Sequence, residues 1–177
     1  MEEIKLVFTG NMGAGKTTAI AAISEIPVIN TDVAMSEKSR LANKSDTTVA
    51  LDYGEISLDE GQKLRLYGTP GQQRFDFMWP ILAKNALGLI ILIDNGSNQP
   101  MDELNLYLDS FAELIAETSA VIGITHMDDS PRPELSAYFY HLEKKGLQLP
   151  VFPVDVREKD DVVMLIQTLL AMLEFAE

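Results

Sequence analysis

The sequence predicts an α/β fold: a doubly wound, mostly parallel sheet of six strands with one antiparallel edge strand, and helices on both faces. Short β-rich apolar runs alternate with segments of helical period over most of the chain, as a parallel sheet with crossover helices requires. Leu87-Gly88-Leu89-Ile90-Ile91-Leu92-Ile93 is apolar throughout, the pattern of a central strand buried on both faces. A glycine-rich turn, Gly10 to Gly15, lies between the first strand and the first helix.

The elements follow in order. Ile4 to Phe8 is a β-rich run, and Thr17 to Ile26 is helical, with Ala19, Ile20, Ala22, Ile23 and Ile26 on period and Pro27 as its stop. Val28-Ile29 is a short apolar scrap, and Thr31 to Asp46 has neither period, as a functional loop would. Thr48 to Leu58 and Gln62 to Tyr67 read as strands joined by the Glu60-Gly61 turn, hence antiparallel. Gly68-Thr69-Pro70-Gly71-Gln72-Gln73 breaks the strand, and Arg74 to Leu82 is an irregular helix interrupted at Pro80. Asp94-Asn95-Gly96 ends the central strand. Pro100 then opens a helix with Leu104, Tyr107, Leu108, Phe111, Leu114 and Ile115 on one face. Ala120 to Ile124 is a core strand, Pro133 to Lys145 a helix closed by Gly146, and Val151 to Val154 the last strand. Asp160-Asp161 suits the start of a final helix through Val162, Leu165, Ile166, Leu169 and Leu173.

Gly10-Asn11-Met12-Gly13-Ala14-Gly15-Lys16-Thr17 fits Gly-x4-Gly-Lys-Ser/Thr and stands where that spacing has physical meaning, after a strand and before a helix. Its glycines let successive N–H groups converge, the helix N-terminus adds positive partial charge, and Lys16 supplies a full cation. The result is a nest for a polyphosphate, with the Thr17 hydroxyl free to ligate Mg²⁺.

Acidic residues outnumber lysine and arginine 27 to 14, and no basic cluster occurs along the chain. Binding of a nucleic-acid backbone needs a basic surface and is set aside. The absence of cysteine excludes disulfides and thiolate metal sites. The apolar run at Leu87 to Ile93 is far below the roughly 20 residues that span a bilayer. With no signal peptide or lipidation box in view, we expect a cytoplasmic protein without an intrinsic membrane anchor.

Ligands of open α/β sheets bind beyond the carboxyl ends of the strands, and four such loops carry informative residues. They are the phosphate loop, Gly68 to Gln72, Thr125-His126-Met127-Asp128 and Asp155-Val156-Arg157. Together they resemble the Ras-like small GTPases over nearly the whole chain. The resemblance implies one G domain, residues 1–177, that binds GTP and GDP with Mg²⁺ and hydrolyses GTP slowly without an activating partner. It implies a phosphate site of Gly13, Ala14, Gly15, Lys16, Thr17, Thr18 and Gly71. Metal ligation falls to Thr17 and Thr48, with Thr47 the alternative to Thr48, and catalysis to Gln72, Lys16 and Thr48. Thr125, His126, Asp128, Val156 and Arg157 are implied at the base, and loops 31–48 and 68–80 as switches.

Three positions depart from the family pattern. Gly68 stands where an aspartate opens the second switch, so the metal is held more weakly or by a substitute acid. Thr125-His126-Met127-Asp128 replaces Asn-Lys-x-Asp, keeping the acid and altering its frame. Met12 occupies a position that is often glycine, near the γ-phosphate, where its bulk would slow hydrolysis. Leu66 to Gln72 together with Thr-His-x-Asp is similar to the bacterial gliding and polarity GTPases, which implies a Roadblock-type or other activating protein and an effector as partners. The alternatives are a nucleotide-dependent scaffold with little hydrolysis, and a nucleotide kinase or ATPase sharing the phosphate loop. Against the kinase stands the lack of an arginine-rich lid.

Other residues have plainer readings. His141 is expected to pack or face solvent, and His126 either covers a base or packs its loop. Phe75, Phe77, Met78 and Trp79 form either core or a partner surface. Arg74 acts as a finger in cis or pairs with local carboxylates.

Overall fold

The computed structural model describes residues 3–35 and 47–176, with side chains described throughout except at 31–35 and 47–50. Seven strands form one sheet: β1 (Ile4–Thr9), β2 (Ile29–Met35), β3 (Thr47–Ser57), β4 (Lys63–Gly68), β5 (Gly88–Asp94), β6 (Ala120–Thr125) and β7 (Val151–Pro153). Their order is β2-β3-β4-β1-β5-β6-β7. Parallel pairing joins β4, β1, β5, β6 and β7, while β3 runs antiparallel to β4. The α/β sheet with its antiparallel pairing at one edge is therefore as expected, with a seventh strand, β2, outside β3. Strand β2 pairs antiparallel from Ile29↔Tyr53 to Met35↔Thr47. The part of the expected loop at Thr31–Met35 is thus strand, and Thr48 lies within β3 opposite Ala34. The rest of that loop, 36–46, is outside the described residues.

The helices are α1 (Lys16–Ile23), α2 (Trp79–Ala83), α3 (Pro100–Ser110), α4 (Ala112–Glu117), α5 (Leu135–Lys144) and α6 (Lys159–Glu174). Alternation along the central strands sorts the two cores. Leu6 and Phe8 of β1, with Ile90 and Leu92 of β5, pack with Ile20 of α1 and Leu165 and Leu169 of α6. Val7, Leu89, Ile91 and Ile93 face the other way, onto Leu104, Tyr107 and Phe111 and onto Tyr138 and Leu142 of α5. Burial on both faces accounts for the unbroken apolar run of β5.

Helix α1 ends three residues earlier than its period suggests. Ser24 takes extended backbone angles, its hydroxyl donates to the Ile26 carbonyl at 2.7 Å, and it accepts from the Glu55 amide at 3.1 Å. A side chain that bonds the backbone locally competes with a further helical turn. The helix expected from Pro100 is two, α3 and α4, broken at Phe111. Pro80 lies in the first turn of α2 rather than interrupting a helix, and a tighter turn over Gln73–Met78 precedes it. Proline suits the first turn of a helix, where Pro80 is the second residue, because its missing N–H would have no intrahelical partner there.

Candidate functional site

A cleft of about 930 Å³ opens at the carboxyl ends of the strands. Its walls include Gly13, Gly15, Lys16, Thr17 and Thr18 from the phosphate loop, Gly71 and Gln72 after β4, and Thr125, His126 and Asp128 after β6. Val156 and Arg157 after β7 complete it. The segments that the sequence separates by more than a hundred residues therefore share one cavity. Thr48 belongs to β3, and its side chain lies outside the described residues.

Gly15 turns the chain into α1 with φ 103°, a left-handed angle that favours glycine. Behind it Val156 is buried, and a Cβ on Gly15 would come within 2.7 Å of its Cγ2, so the loop after β7 closes directly on the phosphate loop. Lys16 is 7% exposed; its amine donates to the Asn11 carbonyl at 2.8 Å and to that of Gly10. Burial lowers the amine to about 8, against the opposing pull of Asp52. Asn11 is held in turn by Tyr107 of α3, whose hydroxyl donates to Asn11 Oδ1 at 2.5 Å.

Thr17 donates its hydroxyl proton to Oδ2 of Asp52 on β3. Asp52 lies directly across the β3–β4 ladder from Gly68. This set of oxygens, a hydroxyl and a carboxylate, matches the hard ligands that Mg²⁺ prefers.

The segment after β4 is anchored at both ends. Thr69 donates its amide to the Phe8 carbonyl at 2.9 Å, and its buried hydroxyl lies 2.8 Å from that of Thr9. The Pro70 carbonyl accepts from Trp79 Nε1 at 3.1 Å. Between them Gly71 presses on the phosphate loop: a Cβ there would be 2.5 Å from the Met12 nitrogen and 2.9 Å from Lys16 Nζ. No larger residue fits without displacing one segment. Gln72 follows, half-buried on the cleft wall, and Met12 is exposed at its rim.

The aromatic cluster of this segment belongs mainly to the core. Trp79 is buried against Tyr107 and Phe111, at 5.1 and 5.8 Å between ring centres. Phe75 and Met78 pack with Leu51 and Leu82, leaving Phe77 partly exposed. Arg74 stacks its guanidinium 4.6 Å from the Phe75 ring and pairs with no carboxylate among the described residues.

At the end of β6, where the next loop begins, Thr125 is buried. Its hydroxyl lies 3.3 Å from the Ile93 carbonyl and 3.4 Å from that of Ala14, tying the loop to the phosphate loop. His126 is in the left-handed region at φ 61° with its ring largely exposed, 3.8 Å from Asp129. Asp128 is exposed on the cleft wall. Buried Asn95 braces the loop from beneath, donating to the carbonyls of Ser130 at 2.6 Å and Pro133 at 3.0 Å and accepting from Tyr138 at 2.5 Å. Arg157 forks onto Asp155 at 2.9 and 2.7 Å, which holds that carboxyl down at about 2. Engaged in this way, Arg157 frames the loop. His141, far from the cleft, bonds Asn105 at 2.6 Å and joins α5 to α3.

Asp52, Asn11, Asn95, Tyr107 and Tyr138 are the residues that sequence reasoning passed over. The missing acid at position 68 signals that another carboxylate is needed, but only strand register brings Asp52 to the place.

The comparisons with known proteins agree with this geometry. An uncharacterized protein of Methanocaldococcus jannaschii is 28% identical over 111 residues, covering 62% of this chain and 64% of its own length. Ras-related protein Rab-5B of Plasmodium falciparum is 22% identical, over 73% of this chain and 58% of its own. Intraflagellar transport protein 22 of Chlamydomonas reinhardtii is 27% identical, over 62% and 54%. The chain thus spans between about half and two thirds of these relatives. A bacterial selenocysteine-specific elongation factor, EF-Sec, shares the fold with a TM-score of 0.63 at 18% identity, over 97% of this chain and 29% of that one. The family described as "Conserved hypothetical ATP binding protein" matches residues 8–144, most of the chain, and the chain belongs to that family.

Proposed function

We propose that the protein is a guanine-nucleotide switch that binds GTP and GDP with Mg²⁺ and hydrolyses the γ-phosphate. The observation that carries this reading is the shared cleft, whose walls include Lys16, Thr17 and Asp128 together. The first two are suited to phosphate, and the third is suited to a base with two adjacent donors.

Lys16 leaves its two loop carbonyls to meet phosphate oxygens, and the amides at Gly13 to Thr18 surround them. Thr17 and Thr48 are the proposed residues that would hold Mg²⁺, and the metal, when bound, would supply positive charge against the charge developing on the phosphate. Gln72 orients the attacking water, and Gly71 offers its amide to the γ-phosphate from its seat on the phosphate loop. Loss of that phosphate releases both contacts and lets the loops at 31–48 and 68–80 relax. The Ras-related relatives support this class, and the resemblance to the gliding and polarity branch suggests a Roadblock-type activating partner with an effector.

The family description names ATP, and that favours a second reading as an ATP-binding protein. Asp128 separates the two. A carboxylate accepts from both N1–H and the 2-amino group of guanine, whereas adenine presents a lone pair at N1 and leaves the acid unpaired, at about 1–3 kcal/mol or more. Replacement of Asp128 by asparagine is expected to shift preference from GTP to XTP, whose 2-oxo group accepts from the new amide. Competition binding checks this, and an Asp128→Asn protein with unaltered base preference would remove the acid from the base site.

A further inference from the structure

Gly68 removes the carboxylate that opens the second switch in the resembling family, yet the space beside it is filled by another. In the antiparallel ladder of β3 and β4, Asp52 and Gly68 are direct partners. A Cβ at Gly68 would lie 3.1 Å from the Asp52 Cβ, 3.4 Å from its Oδ2 and 3.2 Å from Ile20 Cδ1. Side chains of opposed residues in a ladder project to the same face of the sheet. An acid at 68 and the acid at 52 would therefore compete for one volume, and the chain has kept the one on β3.

That volume adjoins the metal-binding hydroxyl. Asp52 accepts the Thr17 proton through Oδ2 and lines the cleft. A threonine hydroxyl has one proton and two lone pairs. With the proton committed to a carboxylate, the lone pairs are left for a cation, and the carboxylate adds its charge beside them. Asp52 is half-buried, so that charge is screened less than on an open surface.

We infer that Asp52 is the acid of the Mg²⁺ site, supplied by β3 in place of the one missing at Gly68, and that it holds the metal by orienting Thr17 and placing negative charge at its oxygens. The inference deepens the proposed function and rests on it for the presence of a nucleotide-bound Mg²⁺. It also gives Gly68 a reason: the position is kept empty for a side chain from the neighbouring strand. A merely structural Asp52, tying α1 to β3 through Thr17, would contribute to folding and leave metal affinity alone.

The test is the Mg²⁺ dependence of nucleotide retention in the full chain, read from release of a fluorescent GDP or ADP as Mg²⁺ is titrated against EDTA. Asp52→Asn is isosteric and keeps an acceptor for Thr17, so the fold should persist, which thermal unfolding would verify. Outer contacts of this kind are worth about 10- to 100-fold in metal affinity, and the Mg²⁺ midpoint should rise by that factor while retention in EDTA is unaltered. The double variant Asp52→Ala/Gly68→Asp returns an acid to the same volume from the other strand, and its midpoint should fall back toward the parent's. An Asp52→Asn midpoint equal to the parent's overturns the inference, as does a parent that holds nucleotide equally well in EDTA. A Mg²⁺ effect seen with ADP and not GDP would sink the guanine reading and leave Asp52 in place. Parent protein that retains neither nucleotide at any Mg²⁺ concentration overturns both.

Discussion

Lys16 ties burial to the proposed function. Its amine is enclosed by the loop that it serves, and the cost of desolvating a charge there lowers it to about 8. A bound polyphosphate stabilises the charged form, so binding raises the amine above that value. Below pH 8 the amine is protonated with or without ligand, and affinity is level; above it, binding must take up a proton, and affinity falls as pH rises. The expected loss of triphosphate affinity between pH 7 and 9 is about tenfold. Calorimetry at pH 8.5 in buffers of different ionisation enthalpy should register the proton. Lys16→Arg, charged throughout this range, should lose the dependence. A parent whose affinity is flat from pH 7 to 9 would mean that the amine does not meet the phosphates. Lys16 and Thr17 were legible in the sequence because their motif is local, with spacing fixed by adjacency. Asp52 was not, because it reaches Thr17 across 35 positions through strand pairing that no local pattern encodes.

Among the elements, the segment from Gly68 to Trp79 is a strap between two fixed points. Gly71 sits on the phosphate loop, and Trp79 is sealed into the core with its indole N–H on the Pro70 carbonyl. Any movement of Gly71 with the state of the nucleotide pulls on that hydrogen bond. The emission of Trp79, the only tryptophan in the sequence, should therefore differ between GDP and a non-hydrolysable GTP analogue. Identical spectra in the two states would describe a rigid binder rather than a switch. The cluster's role as core was open in the sequence, since Phe75, Phe77, Met78 and Trp79 have no clean period, and packing on Leu51, Tyr107 and Phe111 decides it. Strand β2 escaped notice for a related reason. Asn30, Asp32 and Ala34 interrupt its β-rich residues, and its existence depends on hydrogen bonds to β3 more than on its own propensity. Central strands such as β5 needed no such help, because double burial is written into their composition.

On the scale of the whole molecule, the sheet order gathers the ends of β1, β4, β6 and β7 along one edge, and the cleft is the consequence. Alternating elements made this architecture legible, while the distances across the cleft come only from register and helix packing. The charge distribution bears on the proposed function: a formal net charge of −13 opposes polyanion binding, and Lys16 in the cleft would have to provide the local attraction. Among the described residues, no helix is long and apolar enough to cross a membrane. On the proposed function, Asp128 would then decide which nucleotide the cleft takes. The measurement that tests the account most directly is competition between GTP and ATP for the parent protein at equal Mg²⁺. A site built to hydrogen-bond one base discriminates against another by up to about 10⁴. GTP should displace the probe at concentrations at least a hundredfold below ATP, and equal affinity or a preference for ATP would contradict the guanine-nucleotide reading.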